Sequence, residues 1–472
     1  MIGHWIDGQE RASRSGETFE SVDPWTQRPH AEVALAGRTD VADAVAAARR
    51  AAREWAALGT EGRGRLLHRL ADLVADHAPE LATAETHDVG KTVTDALNRD
   101  VPRTAANFRF FADHVRLTTS ETYPMDSGHH AYTRYEPAGV VAAVAPWNFP
   151  LMLASWKVAP ALAWGNTVVL KPAEDSPASA TVLARLATEA GFPDGALNVV
   201  HGYGPDSAGE FLVTSDGIDR VTFTGESATG RVIAAAAAQR LVPVSLELGG
   251  KAANVVFDDC NVEEAVEWAA RSAFFNAGQV CLAGSRCIVQ RGVYDEFVDG
   301  LAAAAAALRV GDPNDPATEV GPLSSKGHFV KVAGYLESLA TGRAVTGGGA
   351  ATDGSWVVGP TVVAEATPED RVWREEVFGP VTAVAPFSTE DEAVALANDT
   401  RYGLNAMVFT ENLRRAHRVA ASLRAGTVWV NCFNVRDLRA PFGGVGDSGV
   451  GREGGLFSRD FFTEPKAVFV AP

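Results

Sequence analysis

The sequence predicts an α/β protein: a helical first segment, then two α/β domains, with a small β arm leaving the first. Three observations carry the prediction. From Thr39 to about Leu117 the pattern is helical: residues 40–58, "DVADAVAAARRAAREWAAL", are Ala-rich, and Leu66, Leu70, Leu73 and Val74 recur at the spacing of one buried face. After Pro137, short Val-rich runs alternate with helical stretches, at Val140 to Val144, Thr167 to Leu170, Leu197 to Val200, Val221 to Thr224 and Pro243 to Leu246. A second alternation runs from about Cys287 to Asn431, through "PVTAVAPF", "EDEAVALAND", "NAMVFT" and "GTVWVN". Strands that alternate with helices imply βαβ units and a parallel sheet, here twice.

Between the helices and the first Val-rich run lies "TTSETYPMDSGHHAYTRYE", polar and strand-like near its end, which suits an arm or hairpin that leaves the domain. No repeat of solenoid period is present, and the Ala runs read as helix interiors.

Composition narrows the function. An apolar fraction of 46% over 472 residues fills a real core, while a net charge of -17 disfavours nucleic acid or an anionic membrane as partner. The segment "MIGHWIDGQE" has no basic region ahead of an apolar one, and other apolar stretches are broken by Lys, Asn, Pro or Gly short of a span, so a cytoplasmic protein is expected. The 4 cysteines form no C-x-x-C pair and the 11 histidines no H-E-x-x-H, so neither disulfides nor a metal are expected.

Four short stretches carry chemistry. In "FFNAGQVCLAGSR", Cys281 follows a helix among small and polar residues, where a sulfur is either a reachable nucleophile or a small buried hydrophobe. Cys260, Cys287 and Cys432 keep the second reading. In "SLELGGK", Glu247 ends an apolar strand before a Gly-Gly turn, where α/β folds put their sites; it is a general base in a partly apolar pocket or a loop cap. In "VAPWNFPLMLASWK", Asn148 either donates to a developing oxyanion or shapes the turn before Pro150. In "NTVVLKPAEDSP", Lys171 and Glu174 suit ribose hydroxyls, the acid favouring NAD over NADP, or are solvated loop charges.

A G-x-G-x-x-G fingerprint is missing. "FTGESATGR" has G-x-x-x-x-G, but Arg231 and Val232 stand where a P-loop needs Lys and Ser or Thr, which argues against a nucleotide triphosphatase. Strand, Gly225, then helix still offers free backbone amides to a pyrophosphate.

Taken together and in order, "PWNFP", "KPAE", "FTGESATG", "LELGGK", "GQVC" and "EEVFGP" resemble the aldehyde dehydrogenase superfamily over essentially the whole chain. The resemblance implies a Rossmann-type NAD-binding domain (1–117 and 138–247), an α/β catalytic domain (248–445) and an oligomerisation arm (118–137 and 446–472) serving a homodimer or homotetramer. It makes Cys281 the nucleophile, Glu247 the base, and Asn148 with the Cys281 backbone N–H the oxyanion hole. Lys171, grouped with the catalytic set, would hold the adenosine ribose with Glu174. Gly225 and Glu226 would meet the pyrophosphate region, Trp147 the cofactor channel, and Glu376 with Phe378 the nicotinamide side. Val144, Pro146, Gly204, Phe223, Thr229 and Leu248 complete the implied cofactor site. Glu226, where many members have Ser, and Trp164, in place of a small residue, depart from the pattern.

Within the superfamily, "NCFNVRDLRAPFGG" with "VPRTAANFRFF" is similar to the branch that oxidises 2-hydroxymuconate and 2-aminomuconate semialdehydes. An arginine costs free energy to desolvate unless an anion meets it. Arg103 and Arg436 are therefore expected to clamp a substrate carboxylate, unless Arg436 pairs with Asp437; Arg439 either joins them or neutralises Asp437. Phe149, Leu153, Trp156 and Phe442 are expected as apolar walls, with ordinary helix packing as the other reading of Trp156. The alternatives are a dehydrogenase of a neutral or betaine-like aldehyde, and a non-redox cysteine hydrolase or thioesterase.

Overall fold

The computed structural model describes residues 1–349 and 354–472. Its first sheet has at its centre five parallel strands in the spatial order Val244–Glu247, Arg220–Thr224, Val140–Val144, Thr167–Lys171 and Leu197–Val199. Four of them are buried along their whole length and the fifth along all but its first residue, which is why they read as unbroken apolar runs. Chain order reverses between Val140–Val144 and Arg220–Thr224, and such a switch point opens a crevice at the carboxyl ends of the strands.

The edges of this sheet come from sequence-distant segments. His4–Ile6 pairs antiparallel with Leu197–Val199, and Gln9–Arg11 lies outside it. On the opposite edge Gly449–Val450 pairs with Leu246 and Glu247. The arm expected over 446–472 is therefore corrected: its first part belongs to this sheet, and helix Gly455–Phe462 packs on helix Pro150–Ala163. Thr463–Val470 pairs with His130–Pro137, which also pairs with Thr122–Tyr123, in a separate three-stranded sheet.

The second large sheet has six parallel strands in the order Thr361–Ala364, Val381–Phe387, Arg286–Gln290, Ala253–Val256, Asn405–Phe409 and Thr427–Val430, with Arg343–Thr346 antiparallel at one edge. A two-stranded hairpin, Thr18–Asp23 with Arg28–Ala34, stands apart from the expected elements.

Helices Arg38–Ala57, Gly59–Asp76, Ala78–Val89 and Val101–Leu117 fill the segment read as helical. The buried face of the second is Leu67, Leu70, Ala71 and Val74, with Leu66 and Leu73 only partly covered, one position off the expected face. Trp55 is fully buried and its Nε1 donates to the Leu162 carbonyl at 2.9 Å, fixing the first helix to the crossover helix Pro150–Ala163. Trp164 is buried too, with Nε1 donating to Ser458 Oγ at 3.1 Å, so the large ring found in place of a small residue is packed and satisfied. One feature escaped the periodicity: the turn Ala96–Asp100 is π-helical and leads directly into Val101–Leu117. No helix among the described residues is long and apolar enough to cross a membrane.

Candidate active site

Glu247 and Thr224 are the last residues of neighbouring strands, and Asn148 lies four residues beyond the end of the next. The crevice at the switch point thus collects a carboxyl, a hydroxyl and an amide. Cys281 reaches them by an unusual turn. After helix Val262–Phe274 the chain passes through Asn276 (φ 51°, ψ 39°), Ala277 (φ 54°, ψ 33°) and Gly278 (φ 68°). Left-handed conformations of L residues cost about 1–2 kcal/mol each, so consecutive ones persist only where the surroundings impose them. Asn276 Nδ2 donates to the carbonyls of Asn148 (3.0 Å) and Gln279 (3.3 Å), and Gln279 Oε1 accepts from Ser324 N at 3.0 Å. Gly278 lies so close to the Gly379 carbonyl that a Cβ would overlap it. Together these contacts aim Cys281 at the junction of two cavities.

The cavity on the side of helix Val101–Leu117 has a volume of about 340 Å³. Phe149, Leu153, Trp156 and Phe442 wall it as the sequence leads one to expect, and Arg103 and Arg436 line it with Glu247 and Cys281. Arg436 has no acid within ion-pair distance and no hydrogen bond among the described residues; its guanidinium lies over Phe442 (3.9 Å) and near Trp156 (5.6 Å). Burial and the nearby Arg103 lower its pKa to about 10. Arg103 likewise has no acidic partner there, and burial lowers its pKa. Asp437 is taken by Arg439, which bonds it through Nε and Nη2 at 3.0 and 2.6 Å in the open. Arg439 does not line the cavity, so of its two readings the structure supports the pairing with Asp437, and its grouping with the substrate residues is corrected. Arg99 and Arg271, which the sequence reading passed over, line the cavity as well.

The second cavity, about 280 Å³, is walled by Pro146, Trp147, Gly225, Glu226, Leu248, Glu376 and Phe378, and shares Thr224, Leu248 and Cys281 with the first. Trp147, Phe378 and His328 form an aromatic wall, with Trp147 edge-on to Phe378 at 5.4 Å and 5.0 Å from His328. Glu376 accepts from Gly250 N at 2.8 Å, burial raises its pKa to about 7, and a Cβ on Gly249 would overlap its carboxylate. Flat aromatic walls, a carboxylate acceptor and close glycine backbone suit a nicotinamide and its ribose. Glu226 is exposed and 3.7 Å from Lys331, so the departure at that position puts an ion pair at the cavity rim.

Other expected cofactor residues stand apart from this cavity. Lys171 ends its strand, buried, with Nζ 3.2 Å from Glu174; burial lowers its pKa and Glu174 opposes the shift. Neither lines either cavity, so Lys171 is not brought to Cys281, and its grouping with the catalytic set is corrected. Val144 closes its strand in the core, Phe223 lies beneath Gly225, where it would overlap a Cβ, and Gly204 and Thr229 lie outside the lining.

Around the thiol the electrostatics favour protonated groups. Burial, then Glu376 and Glu247, push the Cys281 thiol up to about 12, with Arg436 opposing. Burial and Glu453 raise the Glu247 carboxyl well above the usual range, against Lys157, Arg452 and Arg436, and neither of its oxygens has a hydrogen-bond partner. Asn148 Nδ2 spends one hydrogen on the Gln279 carbonyl at 2.9 Å, leaving the other free to donate. Lys157 and Glu453, absent from the sequence reading, form a buried pair at 3.1 Å, and Lys157 Nζ also donates to Thr222 Oγ1. The signal was there: Lys157 is the one charged residue in a helix that is mostly apolar and mostly buried.

A switch-point crevice that opens onto a cysteine is the architecture of α/β enzymes that bind a nucleotide or similar ligand at the strand ends. The chain belongs to the aldehyde dehydrogenase family, whose model matches residues 11–468. It is 46% identical to a 2-hydroxymuconic semialdehyde dehydrogenase of Pseudomonas sp. (strain CF600), over 99% of each chain. It is 44% identical to a 2-aminomuconic 6-semialdehyde dehydrogenase of Pseudomonas sp., over 98% of this chain and 95% of that one. Among solved structures, an indole-3-acetaldehyde dehydrogenase complexed with NAD+ superposes with a TM-score of 0.98 at 40% identity, covering 100% of this chain and 97% of that one.

Proposed function

We propose that the protein is an NAD-dependent dehydrogenase of aldehydes that carry a carboxylate, of which 2-hydroxymuconate and 2-aminomuconate semialdehydes are examples. The observation that carries the substrate reading is Arg436, set in the cavity beside Cys281 and Arg103 with no acid at ion-pair distance among the described residues, Glu247 and Glu453 acting on it only from farther off. A desolvated guanidinium without an anion is costly, and a carboxylate offers it paired, charge-assisted hydrogen bonds. The same cations oppose a betaine-like substrate.

In this reading the Cys281 thiol gives its proton to ionised Glu247, which passes it to solvent, the sulfur forms a bond to the aldehyde carbon, and the carbonyl pair moves onto oxygen. That oxyanion takes hydrogen bonds from Asn148 Nδ2 and the Cys281 backbone N–H. NAD, when bound between Trp147, Glu376 and Phe378, would accept the hydride that the aldehyde carbon loses, which leaves the acyl group on Cys281 as a thioester. Glu247 then draws a proton from water, the hydroxyl adds to the thioester carbon, and the C–S bond breaks to release the acid. Burial and Glu453 favour the protonated Glu247 carboxyl, so it serves as base in its ionised fraction, where the raised pKa makes the carboxylate the stronger proton acceptor.

The test is NADH absorbance at 340 nm with 2-hydroxymuconate semialdehyde and with benzaldehyde, for wild type and Arg436→Ala. A preference for the anionic aldehyde that Arg436→Ala abolishes supports the clamp. Equal turnover of benzaldehyde by wild type rejects it. Cleavage of a thioester with no NADH from either aldehyde would instead indicate a hydrolase.

A further inference from the structure

Three buried ionisable groups at the wall of the substrate cavity take no part in the chemistry above: Asp100 lines it, and Lys91 and Glu85 lie behind. Lys91 and Asp100 form an ion pair with side chains 1% and 0% exposed. Glu85, fully buried, accepts from Leu151 N at 2.6 Å. Replacing a buried ion pair by apolar residues is often neutral or stabilising, so stability alone does not account for this one.

Its geometry does. Asp100 is the last residue of the π-helical turn Ala96–Asp100, a rare widened turn that recurs at functional sites. One carboxylate oxygen of Asp100 holds Lys91, the other accepts from Arg99 Nε at 3.3 Å, and its backbone carbonyl accepts from Thr104 Oγ1 at 2.8 Å. Arg99 and Arg103, four residues apart, both line the substrate cavity. The Lys91 ammonium lies 4.0 Å over the Phe149 ring, the Arg99 guanidinium 3.4 Å over Phe275, and the two rings stack. One buried pair is thus tied directly to Arg99, which Asp95 also meets at 3.3 Å, and to two aromatic walls, one helical turn before Arg103.

We infer that Lys91 and Asp100 are positioning residues for substrate choice: their ion pair locks the π-helical turn in the register that sets Arg99 and Arg103 around the substrate carboxylate. The inference rests on the anionic-aldehyde reading. Lys91 also takes up part of the Asp100 charge, which weakens the hold of that carboxylate on Arg99.

Kinetics of Lys91→Met, Asp100→Asn and Lys91→Arg, with 2-hydroxymuconate semialdehyde and benzaldehyde, test it. Both charge-removing variants should raise KM for the anionic aldehyde on the order of tenfold, with a much smaller change for benzaldehyde. Lys91→Arg, which keeps the pair, should restore the preference. A pure charge effect would move KM in opposite directions, because Lys91→Met removes a cation and Asp100→Asn an anion; that result overturns the inference. So do equal losses with both aldehydes, which mark a scaffold role. If a single variant does not fold, the double variant Lys91→Met/Asp100→Leu, free of buried charge, carries the test, and full retention of preference sinks the idea. A wild type with no anionic preference overturns the substrate reading and this inference with it, whereas preference unchanged in every variant overturns the inference alone.

Discussion

The backbone of Gly443 runs against the carboxyl of Glu247: a Cβ on Gly443 would lie 2.7 Å from Glu247 Oε1 and 2.9 Å from the Gly451 carbonyl. At φ 148° the position also strains any L side chain. Gly443→Ala should therefore displace the carboxyl without dismantling the fold. If Glu247 serves thioester hydrolysis, the variant will show a burst of NADH followed by slow turnover. Stopped-flow absorbance checks this, and a uniformly slowed trace without a burst contradicts it.

The raised Cys281 thiol pKa makes a second prediction. Without added nucleotide, iodoacetamide alkylation of Cys281, followed by peptide mass spectrometry, should rise about tenfold per pH unit from pH 7 to 9 with no plateau, because the thiol stays mostly protonated there. Arg436 is the cation that opposes the shift, so Arg436→Ala should slow alkylation at fixed pH.

The two loop arginines should behave oppositely. Arg436→Ala should lower kcat/KM for an anionic semialdehyde about 10- to 100-fold, the worth of a charged hydrogen bond. Arg439→Ala, which removes only an exposed pair with Asp437, should stay within about twofold. Comparable losses in both would mean that the loop acts as a unit.

Asn276→Ala should reduce activity more than stability. It removes both side-chain bonds that hold the left-handed turn and frees the Asn148 carbonyl. Expected is a fall of about 10- to 100-fold in kcat, since misplacement of about 1 Å is enough. Urea denaturation beside steady-state kinetics separates the two effects.

Glu85 gives a signed pH dependence. Burial raises its carboxyl from 4.5 to about 7, so the folded state holds a proton that the unfolded state releases between those values. Its contribution to stability is full below about pH 4.5 and is lost as pH rises through about 7. Glu85→Gln keeps an acceptor for Leu151 N and should flatten that part of the profile, measured by urea denaturation from pH 4.5 to 8. A slope unchanged from wild type would mean that another group carries it.

Much of this was legible in the chain itself. Buried parallel strands announce themselves as Val-rich runs, so the strand ending at Glu247 and the one before Asn148 fell within a residue of their observed limits. The edge strands did not: Gly449–Val450 and His4–Ile6 are too short for a period to show, and their partners are remote in sequence. Lys157 and Glu453 were missed for the same reason, since their pairing spans 296 residues.

The sequence by itself determined which groups the site contains, because a thiol, a carboxyl and an amide at the ends of apolar runs are local features and the family motifs around them are short. Only the tertiary structure decided which charges are free. Arg436 and Arg439 look alike three residues apart, yet one sits in the cavity with no acid at ion-pair distance among the described residues and the other is spent on Asp437. Free and neutralised cations differ only in what the fold packs against them, and that is settled by contacts between segments, such as the left-handed turn at Asn276 and the π-helical turn at Asp100, which no local propensity favours.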